Sequence, residues 1–97
     1  MATYVILMNL TEKGIKEIKD APERIGESVK ALEAAGGKML AFYTLMGSYD
    51  YLVVAEVPND QVGLAQLLGL GMGGNVRTTT MKAFTQKEFA EVLKMLP

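Results

Sequence analysis

The sequence predicts an α+β fold: a ferredoxin-like βαββαβ unit followed by one added C-terminal helix. Two observations predict it. Four strand-like segments alternate with helical segments in the order β-α-β-β-α-β, and the 97 residues fit a single domain spanning 1–97. A third observation concerns assembly: the strands carry apolar side chains on both faces, whereas helices cover only one face of such a sheet. We therefore expect a second copy to cover the other face, which would give a dimeric α/β barrel.

The first half of the chain predicts a strand and two helices. Thr3–Leu10 is rich in β-branched and aromatic residues, which is typical of a strand. Thr11 can cap a short helix, and Asp20 has capping-box spacing to Glu23 at the start of a longer helix. Gly36-Gly37 should end that helix, since glycine tolerates the left-handed conformation of a helix stop. The buried stripe of the longer helix is predicted to be Ile25, Val29, Leu32 and Ala35.

The second half predicts a hairpin, a helix, a strand and the added helix. The hairpin strands are Lys38–Met46 and Tyr51–Val57, and the last strand is Asn75–Phe84. Pro58-Asn59-Asp60 should stop the third strand and cap the next helix, and Thr85 with Glu88 has the spacing of a capping box. The predicted buried faces are Val62, Ala65, Leu68 and Met72 on the third helix, and Phe89, Val92, Leu93 and Leu96 on the last.

Composition excludes several classes of function. The chain contains neither cysteine nor histidine, which removes disulfides, thiolate catalysis, a histidine base and the usual zinc and haem ligands, so we expect no metal or cofactor. The net charge is −1 and the basic residues are scattered, so nucleic acid is not an expected partner. The apolar run near the start is too short for a signal peptide or a membrane span, and the expected location is cytoplasmic, with no membrane partner.

A glycine-rich stretch, Gly69–Gly74, literally contains the pattern G-x-G-x-x-G. A dinucleotide site requires this pattern after a strand and at the start of a helix, where the phosphate meets the helix N-terminus. Here the glycines close a helix and precede a strand. The stretch therefore predicts a helix end and connector, not a nucleotide site.

The segment Gly47-Ser48-Tyr49-Asp50 joins the two hairpin strands and has two compatible interpretations. In the structural one, Gly47 adopts a positive φ, Asp50 accepts hydrogen bonds from backbone amides and Tyr49 packs on a neighbour. In the functional one, Tyr49 and Asp50 lie at a pocket mouth, where a hydroxyl and a carboxylate orient a polar ligand or move a proton.

Other polar residues extend the set of candidate ligand-binding residues. Arg77 could bind a ligand carboxylate beside Thr79, although exposed charges on strands are common. Asn9 ends an otherwise apolar strand and either satisfies a turn or orients a ligand. Tyr43 is more typical of a core or interface aromatic than of a catalyst, and it is kept as a candidate for ligand binding. No pattern identifies a catalytic residue. The candidate ligand-binding residues are Asn9, Tyr43, Gly47, Tyr49, Asp50, Arg77 and Thr79.

These motifs resemble the GYD family of small prokaryotic proteins, which is named after the residues of this hairpin segment, and the resemblance spans nearly the whole chain. The matching segments are Tyr4-Val5, Asp20-Ala21-Pro22, Gly36-Gly37-Lys38, Gly47-Ser48-Tyr49-Asp50, Gly74-Asn75-Val76-Arg77-Thr78 and Ala83-Phe84-Thr85 with Glu88-Phe89. The resemblance implies a ferredoxin-like fold of the dimeric α/β-barrel superfamily and no settled activity.

Three functional hypotheses remain open from the sequence. The first is a small-molecule binding or sensing module that acts as a homodimer or higher homo-oligomer, since the hairpin and last strand also resemble the effector domains of feast/famine-type regulators. The second is a cofactor-independent monooxygenase acting on a small aromatic or quinol substrate, by likeness to other members of the superfamily. The third is a purely structural assembly whose interior is filled by side chains.

Overall fold

The computed structural model describes all residues 1–97 and contains four strands, four helices and one short 3-10 turn. The strands are β1 (Ala2–Leu10), β2 (Lys38–Thr44), β3 (Tyr51–Val57) and β4 (Val76–Ala83). The helices are α1 (Glu12–Lys16), α2 (Ala21–Ala34), α3 (Asp60–Gly73) and α4 (Gln86–Leu93), and the 3-10 turn is Ile18–Asp20. No helix combines the length and the apolar character that crossing a membrane requires.

The four strands form one sheet in the order β2-β3-β1-β4, with every neighbouring pair antiparallel. This order, reached through the βαββαβ succession, confirms the predicted ferredoxin-like fold. Helices α2 and α3 pack on the face that carries Ile6, Met8 and Val53. We call this the helix face and the opposite surface of the sheet the open face.

Local signals read from the sequence account for most element boundaries. The Thr11 hydroxyl accepts a hydrogen bond from the Gly14 N–H at 3.1 Å, and the Asn59 side-chain oxygen accepts one from the Val62 N–H at 2.9 Å. Gly36 and Gly74 have φ of +87° and +77° at the ends of α2 and α3, where a side chain would be strained.

The capping box predicted at the start of α2 does not form. Asp20 makes no capping hydrogen bond with its side chain, because it belongs to the 3-10 turn that leads directly into α2 and already has helical dihedrals. The chain instead enters α2 through consecutive helical turns, with Pro22 in the first turn, where its missing N–H leaves no hydrogen bond unmade.

Strand β2 is shorter than predicted and irregular. It ends at Thr44 instead of Met46, and a register shift lies between Met39 and Ala41. The extra residue, Leu40, resets the alternation, so Met39 and Phe42 both lie on the helix face. A regular strand would place Met39 and Phe42 on opposite faces, so the bulge interrupts the alternation of β2.

Helix α3 presents a different face to the sheet from the one predicted. Ala65, Leu68 and Met72 are exposed, whereas Gly63 is buried and Leu67 and Leu70 are half-buried against the core. The reason is steric: a Cβ on Gly63 would lie 2.9 Å from the Tyr4 ring, so this glycine marks the close approach of helix to sheet. Because α3 is apolar on every side, periodicity could not identify the inner face.

Helix α4 begins as predicted but is not buried. The Thr85 hydroxyl and the Glu88 carboxylate form the reciprocal capping box with the two backbone N–H groups. The predicted stripe of Phe89, Val92, Leu93 and Leu96 is nevertheless exposed throughout, because α4 continues beyond the sheet instead of folding back on it. The molecule is accordingly elongated, measuring 53 × 31 × 18 Å.

The core is thin for a protein of this length. Only 11 of 97 residues are buried, and no large side chain is less than 2% exposed. The central cluster lies on the helix face along β1 and β3 and contains Ile6, Met8, Tyr51, Val53, Ala55 and Val76.

Candidate functional site

An apolar cavity of about 540 Å³ lies between the helix face of the sheet and helices α2 and α3. Its floor is the central core cluster itself, where the Phe42 and Tyr51 rings lie 5.1 Å apart. The predicted α2 stripe supplies one wall through Ile25, Val29 and Leu32. Of the 27 residues that line the cavity, 19 are hydrophobic, so the space suits an apolar molecule.

Polar groups gather at the end of the cavity where β1 finishes. Asn75 directly precedes Val76, the register partner of Leu10, and its side-chain oxygen Oδ1 is buried without a hydrogen-bond partner. Arg24 lines the cavity from the first turns of α2, and its Nη1 donates to the Glu17 carbonyl at 3.0 Å. A ligand with one polar group and an apolar body would meet a matching environment here.

A hydrogen-bonded cluster lies at the opposite end of the cavity. The Tyr4 hydroxyl donates to the Asp60 carboxylate, and the Lys82 ammonium lies 3.2 Å from the same carboxylate. The hydrogen bond from Tyr4 and then that from Lys82 lower the pKa of Asp60, and the bond to Asp60 raises the pKa of Tyr4. The cluster ties the start of α3 to β1 and β4. Sequence reasoning missed it, since the pairing of Tyr4 with Lys82 appears only in the strand register.

The open face carries apolar rows across all four strands. One row consists of Tyr43, Leu52, Leu7 and Thr79, and the next of Ala41, Val54, Val5 and Met81. Neighbouring strands are about 4.8 Å apart, so Tyr43 and Thr79 are about 14 Å from each other across the sheet. Asn9 and Arg77 are register partners beyond the first row.

In the segment between β2 and β3, Gly47 adopts a positive φ and Asp50 accepts a hydrogen bond from a backbone amide. Gly47 has a φ of +141° and is exposed. The Asp50 carboxylate accepts a hydrogen bond from the Leu10 N–H at 2.8 Å, while the Asp50 N–H donates to the Met8 carbonyl at 2.8 Å. The motif thus attaches this loop to the end of β1, and it leaves the one carboxylate of the segment already bound.

The structure divides the seven sequence-predicted residues into two groups and brings none of them to the cavity. Asn9, Tyr43, Arg77 and Thr79 share the open face, and Gly47, Tyr49 and Asp50 lie in the connecting loop. The cavity went unforeseen because its floor consists of ordinary core side chains. The apolar stripe of α2 was a usable signal, but it is equally typical of a filled core.

No group of three or more acidic side chains converges on a point that could hold a metal ion. The ionisable cluster of Tyr4, Asp60 and Lys82 is satisfied internally.

The sequence is similar to a known domain family and to a named protein. The model of the GYD domain matches residues 4–93. A protein of Thermus thermophilus called "Glutamine synthetase and cystathionine beta-lyase binding protein" is 32% identical over 95 residues, covering 97% of this chain and 100% of that protein.

Comparison with solved structures supports the fold. The crystal structure of MtbAldR is similar with a TM-score of 0.67 and 15% sequence identity over 88% of this chain. The match covers 52% of the MtbAldR chain, so the present chain corresponds to about half of that protein. At this level of identity the likeness is one of fold alone.

Proposed function

Because this chain belongs to the GYD domain family, whose fold it shows, we propose that it is a small-molecule-binding module that works as a homo-oligomer and docks onto a metabolic enzyme. The observation that carries the proposal is the apolar cavity between the sheet and helices α2 and α3. Its volume of about 540 Å³ lies within the range of roughly 300–1,000 Å³ found for ligand pockets. The end at Asn75 and Arg24 supplies polar groups that could orient a ligand, as in most such pockets.

A matched pair of glycine substitutions tests the cavity. Gly69 lines it and Gly26 does not, and a Cβ on either would have no atom within 4 Å. In a thermal-shift screen of small metabolites, a ligand of the cavity should raise the melting temperature of the wild type and of Gly26→Leu, and should do so much less for Gly69→Leu. Equal shifts in all three proteins would place the ligand elsewhere. If no compound shifts the wild type and native mass spectrometry finds nothing co-purifying, the ligand-binding proposal fails.

The homo-oligomer is supported by the apolar rows of the open face. Val5 and Leu7 lie at its centre on β1, and neither α2 nor α3 packs over them. Single chains seldom expose large apolar patches, and a second copy packed sheet to sheet would bury this one. In that arrangement Asn9, Arg77, Thr79 and Tyr43 would place polar groups inside the interface, which is the role we propose for these residues.

Sedimentation of the wild type and of Tyr43→Glu tests this interface. Tyr43 is 63% exposed on the edge strand β2, so its replacement should leave the subunit folded while placing a charge between two sheets. We expect the wild type to sediment as a dimer or larger species and the variant to dissociate. Glu12→Gln, an exposed change on α1, is the control. A monodisperse, folded wild-type monomer at micromolar concentration would exclude the interface.

The proposed enzyme partner is supported by the name of the Thermus relative, which is 32% identical to this chain over 95 residues. We propose that this chain likewise binds glutamine synthetase or cystathionine β-lyase. Surface plasmon resonance tests this with both purified enzymes from the organism that produces this chain. Saturable binding to either enzyme supports the proposal. Absence of binding to both enzymes, with and without any ligand identified by the thermal-shift screen, refutes it.

The monooxygenase alternative gains no support from the geometry. The two groups that could have moved a proton, the Tyr49 hydroxyl and the Asp50 carboxylate, do not line the cavity, and Asp50 Oδ2 accepts a hydrogen bond from the Leu10 N–H. We therefore do not propose a catalytic function.

A further inference from the structure

Helix α4 is an amphipathic helix whose apolar stripe has no partner within its own chain. Phe89 is 51% exposed and Leu96, just after the helix, is 64% exposed, with Val92 and Leu93 between them on the same side. The helix has 8 residues, and isolated helices shorter than about 12–15 residues are marginal in water. Its capping box specifies where the helix starts, and its exposed apolar stripe adds little packing within the chain to stabilise it.

The outer surface of α3 carries a second unpartnered stripe. Leu64, Leu68 and Met72 recur every four residues and are 58%, 60% and 88% exposed. Gly71 lies beside them, and a Cβ there would meet no atom within 4 Å, so a neighbouring helix can approach closely. Asp60 is the sole charged residue of α3, and its carboxylate is held by Tyr4 and Lys82 at the first residue of the helix. The stripe is therefore a purely apolar surface.

The two stripes of one molecule cannot meet each other. Helix α4 follows Ala83, which pairs with Thr3 at the start of β1, and it continues beyond the sheet. Helix α3 runs the other way: it begins at Asp60 beside Tyr4 and ends next to β4's first residue, Val76. Leu68 and Met72 thus lie toward the end of the sheet at which β1 finishes, whereas α4 extends away from the opposite end.

We propose that α4 of one copy packs against the stripe of Leu64, Leu68 and Met72 on α3 of a second copy. The seven side chains of the two stripes each expose on the order of 100 Å², so complete burial of both stripes would remove at most about 700 Å² from water, and a reciprocal pair at most about 1,400 Å², which lies within the 1,200–2,000 Å² of a stable interface. Lys94 and Glu91 pair with each other at 3.1 Å on the outer side of α4, so the contact buries no unpaired charge.

This contact lies on the helix side of the subunit and leaves the open face free. The two interfaces can therefore coexist: sheet-to-sheet packing forms dimers, and α4 links dimers into a tetramer or a larger assembly. The inference does not depend on the cavity or on its ligand.

Mixed cysteine variants test the contact directly, because the natural chain has no cysteine. Leu68→Cys and Phe89→Cys chains, prepared separately, mixed and oxidised, should form a disulfide between residues 68 and 89, identifiable by peptide mass spectrometry. Such a bond requires Cα atoms within about 7 Å and, in this mixture, can join only different copies. Lys87→Cys, on the outer side of α4, replaces Phe89→Cys in the control mixture and should give far less 68–87 product.

The mass of the assembly gives an independent test. Phe89→Glu should weaken the contact at least about 30-fold, the effect of losing a central aromatic anchor worth about 2 kcal/mol, and should reduce the assembly to the dimer. Lys87→Glu should leave the mass unchanged. The inference is overturned if no 68–89 disulfide forms, or if Phe89→Glu keeps the wild-type mass. The latter result with loss of enzyme binding would assign α4 to the enzyme instead.

Discussion

Replacement of Asp50 by alanine separates the structural from the functional interpretation of the motif. Its carboxylate accepts the Leu10 N–H at 2.8 Å in a partly buried position, at the point where β1 ends and the chain turns into α1. A hydrogen bond to a charged group contributes about 1.5–3 kcal/mol, and its removal here leaves a backbone N–H without an acceptor. Because the site is only partly buried, we expect a loss near the lower end of that range, about 1.5–2 kcal/mol.

That loss is measurable. In a domain of this size, 1 kcal/mol corresponds to about 4–8 °C in melting temperature, so Asp50→Ala should melt on the order of 10 °C below the wild type. Urea denaturation at a fixed protomer concentration should show a lower midpoint with an unchanged slope. Asp50→Asn keeps an acceptor without the charge and should lose about half as much. Ser48→Ala, an exposed change in the same loop, should stay within about 0.5 kcal/mol.

The opposite pattern would refute this reasoning. If Asp50→Ala melts like the wild type but no longer binds the ligand or the enzyme, the carboxylate serves recognition, and the hydrogen bond to Leu10 contributes little to the stability of the fold. If both properties change together, refolding the variant in stabilising osmolyte distinguishes a direct loss of binding from a consequence of unfolding.

Three further predictions concern two glycines, the pH dependence of stability and the N-terminal cap of α4. Gly14→Ala should destabilise the protein by several degrees in a thermal melt, because its Cβ would overlap the Asn75 carbonyl oxygen, whereas Gly26→Ala, with nothing within 4 Å, should stabilise it by about 0.5–1 kcal/mol; equal effects would contradict the packing at Gly14. The pKa values of Asp60 and Glu88 are lowered in the fold, so their contribution should be complete above the ordinary carboxyl range and lost as the pH falls through their folded values; acid titration of Asp60→Asn should show a flatter loss of stability, and an unchanged acid limb would count against the cluster. Thr85→Ala removes the capping box and should increase amide hydrogen exchange in α4 while leaving exchange in β1 unchanged, a result that a globally coupled α4 would not give.

Local structure was predictable from the sequence wherever one residue decides it. Gly36 and Gly74 end helices because the backbone takes positive φ there, and Asn59 and Thr85 begin them because their side chains accept a backbone N–H. Gly47 likewise adopts the predicted positive φ, whereas the topology of the sheet was predicted from the order of strands and helices. Asp20 did not cap α2, since a 3-10 turn supplied the preceding helical residues and made a side-chain cap unnecessary.

What could not be predicted depends on contacts between distant segments. The inner face of α3 is chosen by the fit of Gly63 against Tyr4 on the first strand, and no property of α3 alone distinguishes that face. The bulge at Leu40 shifts the alternation of β2 by one residue, and this places Phe42 as well as Met39 on the helix face. The cluster of Tyr4, Asp60 and Lys82 joins three elements and leaves no local pattern. The candidate site was missed for the same reason, because the cavity is formed by side chains from strands and helices that are distant in the sequence.

The distribution of apolar side chains connects the fold to the proposed function. Burial is the main source of folding free energy, yet only 11 residues are buried while Leu68, Met72 and Phe89 remain more than half exposed. These exposed residues are not scattered: they form stripes on α3 and α4, and further apolar rows cross the open face. A chain of 97 residues that distributes its apolar side chains in this way has a small core of its own and large surfaces for contact. In the proposed function, association with further copies and then with an enzyme would bury those surfaces.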